Sequence, residues 1–151
     1  MVSSAKTLIV VTGPTAVGKT RLCLDIAKHF DIPIINADSR QIYRELHIGT
    51  AQPTEEEMRE VKHYFVSTLG LEDYYSASLF EQHVLELLEK LFKDCDYALM
   101  AGGSMMYIDA VCDGIDDIPT IDDQTRTTLK KRLEEEGLEK LFFESMSFSV
   151  T

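Results

Sequence analysis

The sequence predicts an α/β domain: a mainly parallel sheet with helices on both faces. Two observations predict it. Short apolar or β-branched runs alternate along the chain with longer segments of helical period, as expected of strands joined by helical crossovers. The first run, Thr7–Val11, enters a glycine-rich turn that opens directly into a helix. Only three or four strands can be read, so the sheet is expected to be incomplete for a doubly wound domain.

The elements follow in order. Thr7–Val11 is the first strand. Thr20–Phe30 carries Leu22, Leu24, Ile26 and Ala27 among Arg21, Asp25 and Lys28, which reads as a helix. Ile32–Ala37 is a second strand with Asp38 at its end. Thr54 is placed to cap TEEEMREV, and Glu55 to Glu57 suit the positive end of that helix. Tyr64–Ser67 is expected to be a short third strand. Ser78-Leu-Phe-Glu81 reads as a capping box, followed by one buried helix face of Phe80, Val84, Leu87, Leu88 and Leu91. Tyr97–Ala101 is a buried strand closing in Gly102-Gly103. Met105–Val111 is helical, and the Met105–Met106 pair reads as ordinary core. Asp122 caps a last helix through Leu129 and Leu133 that stops near Gly137. Beyond it Leu138, Leu141 and Phe142 begin an amphipathic pattern that dissolves into serines and a threonine.

Composition narrows the function classes. The chain has 151 residues, 44% hydrophobic and 27% charged, the balance of one soluble globular domain. The apolar run near the N-terminus, Leu8–Val11, is too short for a membrane span or a secretory leader, so the expectation is a cytoplasmic protein with no membrane partner. Cys23, Cys95 and Cys112 are far apart and odd in number, and are read as reduced, buried thiols. The four histidines have no ligand-like spacing, which argues against zinc. A net charge of −11 works against non-specific nucleic-acid binding.

Gly13-Pro14-Thr15-Ala16-Val17-Gly18-Lys19-Thr20 fits G-x-x-x-x-G-K-[ST], a P-loop. Backbone N–H groups there curl around phosphate oxygens at a helix N-terminus, whose dipole favours the anion. Gly13 and Gly18 permit the tight backbone, Lys19 reaches a terminal phosphate and Thr20 ligates Mg²⁺. The machinery for cleaving ATP is thin. The strand YALMA ends in Gly-Gly instead of a magnesium-holding Asp. After Arg59 the chain has only Arg126 and Arg132. A hydrolase built on Gly102-Gly-Ser104 fails because the elbow G-x-S-x-G would need glycine where Met106 stands.

The stretch from Ile35 to Thr54, INADSRQIYRELHIGTAQPT, places Asp38, Ser39, Arg40, Gln41 and Tyr43 just past a strand beside the P-loop strand. Ligands of open α/β sheets bind at those carboxyl ends. Taken alone, Asp38 reads more readily as a cap of the following turn, with Arg40 and Arg44 solvated.

GPTAVGKT, NADSRQIYRELHIGTAQPT and AGGSMMYIDAVCDGIDDIP, in this order, together resemble the tRNA dimethylallyltransferase (tRNA isopentenyltransferase) family. The resemblance runs from Thr7 to about Leu141, and the text His47-Ile-Gly-Thr-Ala-Gln-Pro53 favours the branch acting on tRNA over the one acting on free adenine nucleotides. It implies a P-loop NTPase-like core over residues 1–121. It implies also that residues 122–151 begin a helical tRNA-binding insertion. The P-loop, Gly13 to Thr20, would then hold the pyrophosphate of dimethylallyl pyrophosphate with Mg²⁺ on Thr20. The prenyl group would go to the exocyclic N6 amine of an adenine beside the anticodon. Asp38 matches the family's general base, and Lys19 and Ser104 join it as catalytic residues. Asp38, Ser39, Arg40 and Gln41 match the segment gripping the flipped base. Ser104 stands where the family usually has Thr, keeping the hydroxyl for a bond near the base or pyrophosphate, although it can also cap the helix after Gly103. Arg126 matches a tRNA-contacting arginine, or is a solvated helix charge.

Members of that family continue well beyond this length, with more strands and basic residues. The resemblance therefore implies that most contacts to the anticodon stem-loop lie outside this chain, that the chain is a monomer, and that its own turnover is weak or nil. Two other readings stand beside it: a small-molecule P-loop kinase, and a non-enzymatic fragment that binds a partner through its helical end.

Overall fold

A computed structural model describes residues 5–14, 17–46, 48–115 and 122–147. The chain divides into two compact units, split after Ile115.

The first unit holds β1 (Thr7–Thr12), α1 (Lys19–Phe30), β2 (Ile34–Asn36), α2 (Glu55–Glu60), β3 (His63–Tyr64), α3 (Ala77–Leu91), β4 (Tyr97–Gly102) and α4 (Met105–Asp113). The strands form one sheet in the order β1-β4-β2-β3, with every pairing parallel. Helices cover both faces, as the sequence predicts. The pleat sorts neighbouring residues of one strand to opposite sides. Ile34 and Leu99 pack with Cys23, Leu24 and Ala27 of α1, whereas Ile35, Ala98 and Met100 pack with Phe80, Val84 and Leu88 of α3 and Tyr107 and Ile108 of α4. These strands read as continuous apolar runs because both faces are buried.

The carboxyl ends of β2 and β4 are fused. Ala37 N–H donates to the Ala101 carbonyl (2.8 Å) and Ser104 N–H to the Ala37 carbonyl (3.1 Å). A Cβ on Gly102 would lie 2.1 Å from the Ala37 carbonyl oxygen, so only glycine lets the two backbones approach this closely.

Several local expectations are met. Thr54 and Glu57 form a full reciprocal capping box on α2. Asp122 caps the helix that follows it, accepting from Thr125 N–H at 2.6 Å. Gly137 ends that helix. Others need correction. The cap of α3 is Ser76, whose hydroxyl accepts from Leu79 N–H (3.2 Å), and Ser78 lies inside the helix. The third strand stops at Tyr64 because Phe65 (φ 60°) and Ser67 (φ 51°) turn into the left-handed region. The second strand starts at Ile34: Asp31 is left-handed, and Ile32 N–H returns to the Ala27 carbonyl at 3.0 Å. Met105 and Met106 are exposed rather than core, and of the three free thiols only Cys23 is buried.

The second unit contributes α5 (Asp123–Glu136) and α6 (Leu138–Ser147). The helix continues where the apolar pattern fades. Arg132 of α5 reaches Glu144 of α6 at 2.7 Å, and Ser145 Oγ donates to the Phe142 carbonyl at 2.8 Å. No helix among the described residues is long and apolar enough to cross a membrane.

Candidate functional site

At the carboxyl ends of β1, β2 and β4 lies a cavity of about 830 Å³. It collects Gly13, Pro14, Gly18, Lys19 and Thr20 on one side and Asp38, Ser39, Arg40, Gln41 and Ser104 on the other. These are nearly all the residues the sequence singles out. Thr15 and Ala16 lie outside the described residues, as does His47. Val17 is exposed and does not line the cavity. Arg126 sits on α5 of the second unit and is not a lining residue.

The anion end is built by glycine. Gly18, at φ 87°, is the N-cap of α1 and has no side chain to cap the first-turn amides. Those N–H groups and the positive end of the helix dipole face the cavity beside Lys19 and Thr20, an arrangement suited to a phosphate group. Lys19 Nζ donates to the Pro14 carbonyl, folding its charge over the loop.

The opposite lip is made by the turn after β2. Asp38 Oδ1 accepts from Arg40 N–H (2.9 Å) and Gln41 N–H (3.3 Å). Asp38 thus caps its turn and also faces the cavity: the two readings coexist. Among the described residues no hydrogen-bond donor engages its second oxygen. Ser104 occupies the N-cap position of α4, but its hydroxyl makes no cap bond. It accepts from Ser39 N–H at 2.8 Å and lies 3.1 Å from Ser39 Oγ. Ser104 therefore ties the end of β4 to the turn after β2. Gln41 is also engaged: its Nε2 donates to the carbonyls of Thr50 (2.7 Å) and Ala51 (3.1 Å).

The cavity wall also holds residues to which the sequence assigns no part in the site: Cys23, Ile34, Asn36, Ala51, Pro53 and His63. Cys23 was within reach of a sequence argument, since it stands one helical turn beyond Lys19. His63 was not. It enters through the parallel pairing of β3 with β2, which sets it opposite Ile34. Its Nδ1 lies 2.8 Å from the Val61 carbonyl, which can only accept, so Nδ1 carries the proton and Nε2 is the acceptor in the neutral ring. Burial holds the imidazole below its usual pKa, against the raising effect of that same carbonyl. Burial likewise pushes the Cys23 thiol up, with Lys19 partly opposing. Asn36, buried at the end of β2, donates from Nδ2 to the Phe65 carbonyl (3.1 Å) and holds the left-handed turn after β3.

Known proteins share this arrangement of elements. A family model described as IPP transferase matches residues 41–147. A tRNA dimethylallyltransferase 1 of Phocaeicola vulgatus is 58% identical over 135 residues, which is 89% of this chain and 45% of that relative. The full-length tRNA isopentenylpyrophosphate transferase of Bacillus halodurans superposes with a TM-score of 0.71 at 28% identity, over 95% of this chain and 48% of that one. The corresponding transferase of Staphylococcus epidermidis gives 0.68 at 34% identity, over 88% and 43%. The chain thus spans under half the length of the relatives it matches, and its parallel sheet and flanking helices are those of their P-loop NTPase-like fold. With the family match running through most of its length, this chain belongs to the IPP transferase family.

Proposed function

We propose that the cavity binds dimethylallyl pyrophosphate and an adenine of tRNA, and that the protein serves transfer of the dimethylallyl group to the N6 amine of an adenine beside the anticodon. The observation that carries this reading is the meeting, in one cavity, of an anion cradle (Gly13, Gly18, Lys19, Thr20) with a carboxylate lip (Asp38). Ile34, Ala51, Pro53 and Ala101 give the space between them an apolar wall, suited to a hydrocarbon chain. The names of the relatives, dimethylallyltransferases of tRNA, support the same chemistry.

In that reaction the bond from the allylic carbon to the pyrophosphate oxygen breaks and a bond from adenine N6 to that carbon forms. The electron pair leaves with pyrophosphate, so negative charge grows on the α-phosphate oxygen that had been bonded to the allylic carbon. Lys19 and the α1 amides stabilise it, and losing one such preorganised donor typically costs roughly 3–4 kcal/mol of barrier. N6 is a weak nucleophile because its lone pair is delocalised, so its proton must go to a base. The second oxygen of Asp38 takes it, while the Arg40 and Gln41 amides fix the first oxygen. A positioned base contributes roughly 10²–10⁴-fold. The adenine must leave its stack to enter the cavity. Thr20 is the Mg²⁺ ligand in this reading: its hydroxyl is a hard oxygen donor on the first turn of α1, beside the anion cradle. Mg²⁺ would supply counter-charge to the pyrophosphate. We further infer that the protein acts as a monomer in the cytoplasm and that most tRNA contacts, beyond those of Asp38 to Gln41, Ser104 and Arg126, come from outside this chain.

Calorimetric titration with dimethylallyl pyrophosphate and, separately, ATP, each with Mg²⁺, tests the reading. Preference for the prenyl pyrophosphate is expected. Preference for ATP would overturn it in favour of a small-molecule kinase.

A further inference from the structure

Two glutamines fasten the turn after β2 to the loop that walls the cavity. Gln41 holds the Thr50 and Ala51 carbonyls. Gln52 reciprocates: its Nε2 donates to the carbonyls of Gln41 (2.9 Å) and Tyr43 (3.1 Å). Its Oε1 accepts from Ser67 Oγ at 2.9 Å. The partners settle the orientation of this amide, because carbonyls only accept and the hydroxyl can donate. Side chain and backbone thus interlock in both directions between residues 41–43 and 50–52.

The loop so held is not relaxed. Gly49 (φ 87°) and Ala51 (φ 51°) are both left-handed, and such a conformation at alanine persists only where surrounding contacts enforce it. Ala51 and Pro53, on either side of Gln52, line the same cavity as the anion cradle. The other half of the interlock ends in Gln41, whose own N–H is bonded to Asp38. Gln52 itself does not line the cavity.

We propose that Gln52 is a positioning residue for the turn Asp38–Gln41, acting through the carbonyls of Gln41 and Tyr43. Its bearing on transfer chemistry rests on the prenyl-transfer reading; its hold on the turn does not. The essential property is donation. Lysine at this position keeps donors for both carbonyls. Glutamate, nearly the same shape, sets a carboxylate against them, and leucine offers neither donor nor acceptor.

Amide hydrogen exchange on the intact chain tests this with Gln52→Leu, Gln52→Glu and Gln52→Lys. The reporters are the amides of Ser39, Arg40 and Gln41, which bond to Ser104 and Asp38 and not to Gln52. Their exchange is expected to quicken at least about tenfold in the leucine and glutamate variants and to return to within about threefold of wild type in the lysine variant. The amides of Leu99 and Met100 in β4 should be unchanged, which shows that the variants fold. Unchanged exchange at residues 39–41 in the leucine or glutamate variant, or failure of lysine to restore it, overturns the proposal. A second arm measures turnover with dimethylallyl pyrophosphate and an anticodon stem-loop RNA. There kcat is expected to fall about tenfold in the leucine variant with the KM for the pyrophosphate unchanged. A wild-type chain that does not bind the prenyl pyrophosphate counts against the prenyl-transfer reading alone, whereas weak turnover is what the chain's length leads one to expect, and the exchange arm decides the role of Gln52 in either case.

Discussion

The two units are held together by different physics. In the first, apolar side chains sandwich the sheet: Phe80, Ile35, Leu99, Met100 and Val84 are fully buried. In the second, charges do most of the visible work. Arg132 pairs with Glu136 and Glu144, and Lys140 pairs with Glu136. Leu129, Leu133, Phe142 and Phe143 remain 44–70% exposed. Burial of apolar surface does not titrate, so the sandwich itself contributes no acid step. An exposed ion-pair network is sensitive to both salt and acid. The cavity is built wholly from residues of the first unit, and among its lining residues His63 couples that unit to pH.

The largest break in that contrast is Phe80→Ala. Phe80 stacks on Tyr107 with ring centroids 4.5 Å apart and meets Phe65 at 5.3 Å. Its loss is expected to cost about 3–5 kcal/mol in a chemical denaturation curve followed at the first unit. Helicity of α5 and α6 should be far less affected. Next comes Gly102→Ala, which drives a methyl group into the Ala37 backbone. About 1–3 kcal/mol of stability should go, and affinity for dimethylallyl pyrophosphate should fall with it, since Asp38 and Ser104 flank that contact. An unaltered melting curve would mean that the strand ends are not fused as described.

The smallest effect sharpens the contrast from the other side. Hydrogen bonds from Arg132 and then Lys140 hold Glu136 down to about 2, from a usual 4.5. A depressed carboxylate stabilises the folded form above its unfolded pKa and loses that contribution as pH falls toward its folded value. Helicity of the α5–α6 pair should therefore hold above pH 4.5 and drain away toward about 2, and Arg132→Met should shrink this acid step while Lys140 still pairs with Glu136. His63 works in the same sense in the first unit: its lowered pKa favours the neutral ring, so stability should decline as pH drops below 6.5. Circular dichroism across the two ranges separates the units. A single common transition would contradict the division.

Much of the site was legible because it is local. The P-loop is contiguous in sequence, and Thr54 with Glu57 announces its helix by spacing alone. What escaped depends on where the backbone turns or on distant pairing. Ser76 and Ser78 are chemically identical caps, and only the extended backbone at Ser76 selects it. No glycine flags the end of β3; Phe65 and Ser67 turn left-handed because Asn36 and Gln41 hold them, the former by its side chain and the latter by its carbonyl. His63, Ala51 and Pro53 reach the cavity through contacts that no period in the sequence encodes. The helical run through Ser147 extends past the point where the apolar pattern thins, and Arg132 of the preceding helix adds an ion pair to Glu144 within it.

The fused ends of β2 and β4 carry a consequence for how binding free energy is used. Ala37, Gly102 and Ser104 are locked when the sheet forms, so the conformational entropy of aligning Asp38, Ser39 and Ser104 is lost during folding. A ligand arriving at this lip meets groups already in place, and little of its binding free energy is diverted into arranging them.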